Sequence, residues 1–310
     1  MKKTGYIALL ALVLAVCCQH QAAGQQRPVV TQYMFNQLVF NPAYAGLEGQ
    51  FSATLLYRDQ WLNFEGAPTS TIFSLHTGIK GKKIGLGAMI TEDEIGVHND
   101  IGVYFSYSYS ISMPIGKLSM GLQAGFNNLV SDYTKLSLRA PTDPIFITGI
   151  NAFRPNFGTG VYFWNKRTRL GLSVPYLINN QLTNVEDALS KAKEARNYYF
   201  YAAHIIPVNK DIKVQPSMMI RAQEGQPLGI DINTNVILKD IVSLGMMYRS
   251  GDALAALFEF KIVENLHFGY AYDITASDIA AYSKGTHEIM INYRFKVLGL
   301  HEGIECATYF

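Results

Sequence analysis

The chain has 310 residues, of which 16% are charged and 12% aromatic, and its formal net charge at pH 7 is +2. The charged fraction is below the roughly 25% of soluble domains, whereas tyrosine, phenylalanine and glycine are plentiful, as in the walls of membrane β-barrels. Charged residues are scattered and form no runs, which excludes an electrostatic footprint for nucleic acid. Length alone leaves a large soluble β-sandwich or two domains possible.

The N-terminus has the features of a secretory signal. Two lysines precede an apolar run over residues 7–18, and small residues follow at 22–24, so we predict a signal peptide at residues 1–24. The run is shorter than the roughly twenty apolar residues that a spanning helix needs, and no later segment reaches that length. Because lipid cannot satisfy backbone hydrogen bonds, an integral membrane protein without such helices must be a closed barrel.

The cysteines leave one alternative for the N-terminus. A lipobox places a small residue before the acylated cysteine, and Val16 before Cys17 fits that pattern poorly, so lipidation of Cys17 or Cys18 is the minor interpretation. If both leave with the signal, Cys306 is the remaining thiol and no internal disulfide can form.

From Phe51 to Phe295 the side chains alternate between apolar and polar or small. The clearest example runs from Ile101 to Ser112, where odd-numbered residues are aromatic or branched and even-numbered ones are mostly serine. A period of two is typical of strands. Fourteen strands are predicted, near 51–58, 69–78, 83–91, 100–112, 117–127, 156–164, 169–176, 197–206, 211–222, 227–237, 241–250, 253–262, 265–274 and 286–295. An even number of segments of about ten residues predicts an all-β, transmembrane antiparallel barrel of the outer membrane.

The connections between these segments alternate between short and long. Brief turns alternate with connections that include the long segments 128–155, 177–196 and 275–285, which predicts short periplasmic turns and long outer loops. The charges within 177–196 have helical spacing and predict a short surface helix. A tail at 296–310 is expected in the periplasm, together with the N-terminus.

The same alternation predicts which side chains face the lumen. Since an unpaired charge is costly to bury, the inward charges must contact water or each other. The charged residues in phase with the small inward residues are Arg58, Lys213, Arg221, Asp231, Arg249, Glu259, Lys261, His267, Asp273 and Arg294. The alternation is weakest at 197–206, where aromatics run together, and Pro216 inside a strand predicts a bulge.

Two segments are more distinctive than the alternation. QYMFNQLVFNPAYAG covers residues 32–46, and YRDQW covers 57–61. With the export signal and the barrel pattern they resemble the PorP/SprF family of outer-membrane proteins of the type IX secretion system in Bacteroidetes, over essentially the whole mature chain. The resemblance implies a noncatalytic component that supports export and surface attachment of cargo such as adhesins, proteases or gliding proteins. It also implies partners in the periplasmic ring and the outer-membrane translocon.

The segment before the first strand has two possible roles. Its aromatic and amide residues suit either a periplasmic dock for partner subunits or a plug that fills the barrel mouth. Arg58 is expected to face the lumen, and Trp61 to anchor at the membrane interface or contact cargo. The candidate partner-binding residues are Tyr33, Phe35, Asn36, Asn41, Pro42, Tyr44, Gly46, Arg58 and Trp61.

No catalytic, metal or cofactor motif is recognisable, so none is predicted. Isolated His98, His267 and His287 leave an outer-membrane hydrolase as one alternative. The charged lumen leaves a channel for a small solute as another. The predicted division is a signal peptide at 1–24, an N-terminal periplasmic or plug segment at 25–50, a barrel at 51–295 and a periplasmic tail at 296–310.

Overall fold

A computed structural model describes residues 29–79, 82–135, 149–180 and 194–296. The predicted signal peptide, all but the first residue of the tail and most of the expected surface helix lie outside these ranges. Among the residues described, none belongs to a helix with the length and apolar character needed to span a membrane.

The wall is an antiparallel sheet that closes on itself. Its segments are β1 (Phe51–Asp59), β2 (Thr69–Gly78), β3 (Ile84–Ile95), β4 (His98–Met113), β5 (Gly116–Ser131), β6 (Ile150–Trp164), β7 (Thr168–Val174), β8 (Asn197–His204), β9 (Ile206–Pro207), β10 (Ile212–Gln223), β11 (Gly229–Leu238), β12 (Val242–Arg249), β13 (Ala253–Val263), β14 (Leu266–Thr275) and β15 (Thr286–Phe295). β9 continues β8 after a break at Ile205, so the described residues form fourteen wall strands. β15 pairs with β1 and closes the cylinder, which confirms the predicted all-β barrel.

The alternation of side chains follows the prediction. Phe105 and Leu122 face outward, with 62% and 63% of their surfaces exposed, whereas Tyr104 points inward and is 1% exposed. In a bilayer the outward side chains would contact hydrocarbon, and a closed ladder leaves no strand edge unpaired. The aromatic run in β8 obeys the same rule, because Tyr199 and Tyr201 are buried inside while Tyr198 points outward.

The two ends of the barrel differ in the lengths of their connections. At the end that carries Phe51 and Phe295, the connections are short turns such as 114–115, 165–167 and 264–265. The opposite end carries the longer 60–68, 132–149, 175–196 and 276–285 connections. Outer-membrane barrels place short turns in the periplasm. We therefore call the end with Phe51 and Phe295 the periplasmic end and the opposite one the outer end.

Strands β3 to β6 extend further at the outer end than expected. β3 and β4 are joined by only Gly96 and Val97, and Gly96 has the positive φ of +59° that such a tight hairpin turn needs. Residues 128–131 of β5 pair with residues 150–153 of β6. The predicted loop at 128–155 is therefore partly strand.

The expected bulge at Pro216 is wrong. Ser217 lies opposite Ala203 and Val214 lies opposite Ile206, so the register is the same on both sides of the proline. The neighbouring strand is interrupted instead, at Ile205, whose N–H donates to the Arg167 carbonyl. Proline has no N–H to donate to its partner strand. The hydrogen-bond ladder is therefore interrupted there without a change in register.

Residues 29–50, named the lumenal segment here, run inside the barrel. Residues 30–45 are all buried, and two short 3₁₀ helices, Gln37–Val39 and Pro42–Tyr44, bend the chain. The sequence left two roles open, a periplasmic dock and a plug that fills the barrel mouth. The described part of the segment lies inside the lumen, where the inner wall supplies the hydrogen bonds and apolar contacts that its polar backbone and aromatic side chains need.

Candidate functional site

The outer part of the lumen contains a cluster of paired charges. We call Arg58, Arg221, Asp231, Arg249, Asp273 and Glu288 the outer ion cluster. Arg58 lies 2.8 Å from Asp273 and 3.0 Å from Glu288, and these three side chains are at most 3% exposed. Arg58 and Glu288 also lie directly opposite each other in the pairing of β1 with β15.

Arg249 extends this cluster to the neighbouring strands. Its guanidinium lies 3.3 Å from Asp231 and 3.4 Å from Asp273, and Arg221 lies 2.8 Å from Asp231. Buried charges are tolerated when each has partners, whereas removal of one partner leaves a costly uncompensated charge. The predicted inward charges that belong to this cluster therefore contact each other, as the alternation required.

The lumenal segment is bound to this cluster at Thr31 and Gln32. Arg58 donates to the Thr31 hydroxyl at 2.8 Å, and that hydroxyl donates to the Asp273 carboxylate at 2.8 Å. The N–H groups of Thr31 and Gln32 donate to the two oxygens of Glu288 at 2.8 Å and 2.7 Å. The segment is thus attached through its backbone as well as its side chains.

Contacts in the middle of the lumen are close and specific. Asn41 donates to the Val161 carbonyl at 3.0 Å and accepts from the Ala43 N–H, while Ser173 donates to the Phe40 carbonyl at 2.6 Å. At Gly121 a methyl group would lie 2.1 Å from the Ala43 nitrogen, so only glycine allows this approach.

Inward tyrosines of the wall pack against the aromatics of the segment. Tyr33 packs edge-on against Tyr201 with ring centres 5.9 Å apart, and Tyr44 packs against Tyr162 at 5.5 Å. Such pairs add stability beyond the area that they bury.

A second charged contact holds the segment at the periplasmic end. Glu48 lies 3.3 Å from Arg294 and accepts a hydrogen bond from the Tyr44 hydroxyl at 2.9 Å. The Gly46 N–H donates to Nδ1 of His76 at 3.3 Å. Burial alone would raise the pKa of Glu48, but the charges of Arg294 and His76, together with hydrogen bonds, lower it below its ordinary value of 4.5.

Most of the predicted site residues belong to the lumenal segment. Those buried in the lumen are Tyr33, Phe35, Asn36, Asn41, Pro42 and Tyr44. Gly46 is partly exposed at the periplasmic end, and Arg58 joins the outer ion cluster. Trp61 lies apart from them, partly exposed in the outer connection directly after β1, with its ring 6.5 Å from that of Phe64. Binding of partners by these residues stays a prediction.

Two charged residues of the site were missed from the sequence. Glu288 shares the inward phase of Asn292 and Arg294, so the alternation contains the signal that would have found it. Glu48 precedes the first strand, where no periodic pattern indicates which way a side chain points.

The three histidines considered for catalysis lie in separate places. His267 is buried and its Nδ1 lies 3.5 Å from Glu259, whereas His287 faces outward beside the Tyr270 hydroxyl at 2.7 Å. His98 contacts Ser131 at the outer end. Within the ranges that the structure describes, no group of three or more His, Cys, Asp or Glu residues is arranged to hold a metal ion.

A closed antiparallel wall with an apolar outer surface and a lumen occupied by its own chain defines an integral β-barrel protein of the outer membrane. Residues 22–293 match the family described as "Type IX secretion system membrane protein PorP/SprF", and the chain belongs to that family. It is therefore an outer-membrane component of the type IX secretion system, which confirms the resemblance seen in the sequence.

The solved structures to which the chain is similar are distant in sequence. The CymD monoaromatic hydrocarbon channel is 11% identical, with 89% of this chain and 95% of that one covered and a TM-score of 0.50. The Acinetobacter baumannii outer membrane protein Omp33 is 9% identical, with 81% and 100% covered and a TM-score of 0.47. Similarity at this level concerns the fold alone. No curated protein matches the chain.

Proposed function

We propose that this barrel is a noncatalytic, self-plugged component of the type IX secretion system that supports export and surface attachment of cargo proteins. It acts through contacts with subunits of the periplasmic ring and the outer-membrane translocon. Family membership supports a role in this secretion system. The observation that supports the proposed mode of action is that the lumen is filled by the chain itself. A barrel whose interior is occupied by its own chain is suited to contacts at its ends and outer surface.

Several features of the lumen favour an adaptor over a route for solutes. The lumenal segment is bound to the wall at both ends and in the middle, as the hydrogen bonds of Thr31 and Asn41 and the ion pair of Glu48 with Arg294 indicate. A cavity beside Val39 and Phe40 has a volume of about 20 Å³, which is enough for about one water molecule. Passage of a solute would require the segment to leave its site.

The partners are proposed at the two ends of the barrel. The short turns and the exposed part of the lumenal segment near Gly46 would meet ring subunits, and the outer connections would meet the translocon or cargo. The candidate residues that are buried would then seal and order the lumen. They could bind a folded subunit directly only if the segment left the barrel.

Comparison of a gene-deletion strain with its parent tests the proposal. Secreted and surface-attached proteins would be quantified in the deletion strain, the parent and a strain complemented with the intact chain. We expect specific cargo proteins to disappear from the surface or the medium and to return on complementation. An unchanged secretome and surface proteome would contradict the proposal.

The alternative is a diffusion channel for a small solute, for which the charged inner wall is the favouring observation. Growth on candidate solutes separates the two. A deletion strain with normal secretion but impaired uptake of one solute would favour the channel.

A further inference from the structure

The direction of the lumenal segment follows from the positions, along the barrel axis, of the wall residues that it contacts. Its first contacts are at the outer end, where the Val30 carbonyl accepts from Arg249, the last residue of β12. Thr31 binds Asp273, third from the outer end of β14, and Glu288, the third residue of β15 from that same end. Val30 and Thr31 therefore lie near the outer mouth.

The other end of the segment lies at the opposite mouth. Gly46 approaches Gly85, the second residue of β3, so closely that a methyl group on Gly46 would lie 2.6 Å from its Cα. Glu48 contacts Arg294, the last but one residue of β15. Both contacts are at the periplasmic end, and β1 begins there at Phe51.

The length of the segment agrees with a complete crossing. The outer contact at Arg58 and the periplasmic residue Ser52 are six residues apart on β1, which is about 20 Å along a strand. Residues 31–48 could span about 55–60 Å if fully extended. The segment can therefore cross the lumen and still include its two helical turns.

We propose that the lumenal segment crosses the barrel from the cell surface to the periplasm, so that Val29 lies at the outer mouth and Gln50 at the periplasmic mouth. A hairpin inserted from the periplasm would have both ends at the periplasmic mouth, whereas this segment has one end at each. Val29 then faces the cell surface, and Gln50 faces the periplasm. The proposal concerns topology and does not depend on the role in secretion.

Cysteine labelling of intact cells tests the two ends of the segment against each other. Val29 and Gln50 are both partly exposed, and each would be replaced by cysteine in a chain that also carries Cys306→Ser. A membrane-impermeant maleimide would be added before and after permeabilisation of the outer membrane. We expect Val29→Cys to be labelled on intact cells and Gln50→Cys only after permeabilisation.

Two acidic positions supply matched controls. Glu224 is exposed in the outer connection between β10 and β11, and Glu264 is exposed in the periplasmic turn between β13 and β14. Glu224→Cys should behave like Val29→Cys, and Glu264→Cys like Gln50→Cys, while Cys306→Ser alone reports background. Each variant would first be checked for heat-modifiable migration on a gel, which reports a folded barrel.

An epitope inserted after Gly24 supplies an independent measurement that leaves the lumen unchanged. Antibody should reach it on intact cells. Labelling of Val29→Cys only after permeabilisation, or an epitope reached only then, would overturn the proposal. Secretion of cargo can be measured in the same strains, so loss of this topology and loss of the proposed function are told apart.

Discussion

Replacement of Arg58 tests how strongly the buried pairs of the outer ion cluster stabilise the barrel. The change Arg58→Met keeps the length of the side chain but removes the partner of two carboxylates, Asp273 and Glu288, whose side chains are 2% and 1% exposed. Asp273 retains Arg249 at 3.4 Å, and Glu288 retains two backbone N–H groups, so neither is left without contacts.

Breaking a buried ion pair by removing one partner costs about 3–5 kcal/mol. We expect Arg58→Met to lower the free energy of unfolding by an amount in that range. Arg58→Lys should recover only part of it, because lysine cannot bind two carboxylates in the planar arrangement of a guanidinium. Equilibrium unfolding in guanidinium, with the barrel reconstituted in phospholipid, measures both.

Lys213→Met is the matched control. Lys213 also pairs with a carboxylate of the same barrel, Asp240, but these side chains are 30% and 41% exposed. An exposed pair contributes at most about 1 kcal/mol, so the control should unfold almost like the parent. Equal losses in Arg58→Met and Lys213→Met would refute the stabilisation assigned to the buried pairs of the outer ion cluster.

Two further changes test the middle and the periplasmic end of the lumen. Gly121→Ala would bring a methyl group within 2.1 Å of the Ala43 backbone, whereas at Gly87 the nearest atoms are the flexible end of Leu38 at 3.2 Å. Gly121→Ala should therefore lower the free energy of unfolding by about 1–3 kcal/mol, and a Gly87→Ala variant that loses as much would contradict the close approach. The pKa of Glu48 is lowered in the folded state, so its contribution is complete above its ordinary pKa of 4.5 and is lost as the pH falls through the lowered value. Melting temperatures measured against pH should therefore fall less steeply on acidification in Glu48→Gln than in the parent, and parallel curves would count against this role.

The strands could be predicted because each one separates a hydrocarbon-facing side from a lumenal side. Where that difference ends, the pattern ends too. At the outer ends of β3 and β4, both faces carry polar residues, namely Asp93, Glu94, Asn99 and Asp100. Alternation between apolar and polar residues therefore no longer marks a strand, and the sequence did not predict the short turn at 96–97. The effect of Pro216 was also assigned to the wrong strand. Because proline lacks an N–H, the interruption falls in the neighbouring strand and not in the strand that contains Pro216.

The lumenal segment was recognisable by composition but could not be placed from the sequence. It has no period of its own, and its path is set by contacts with residues far away in the chain, such as Gly121, Asn41 with Val161, and Thr31 with Glu288. These contacts exist only once the register of the wall is complete. Individual inward charges could be predicted from their phase, whereas their pairing across β1, β12, β14 and β15 depends on closure of the barrel.

Conductance across a planar lipid bilayer tests most directly whether the barrel is closed by its own chain. The purified intact chain would be compared with a variant that lacks residues 29–46, after both have been shown to migrate as folded, heat-modifiable barrels. We expect the intact chain to be electrically silent and the shortened variant to carry a steady current. A steady current from the intact chain, equal to that of the shortened variant, would contradict a lumen sealed by the segment.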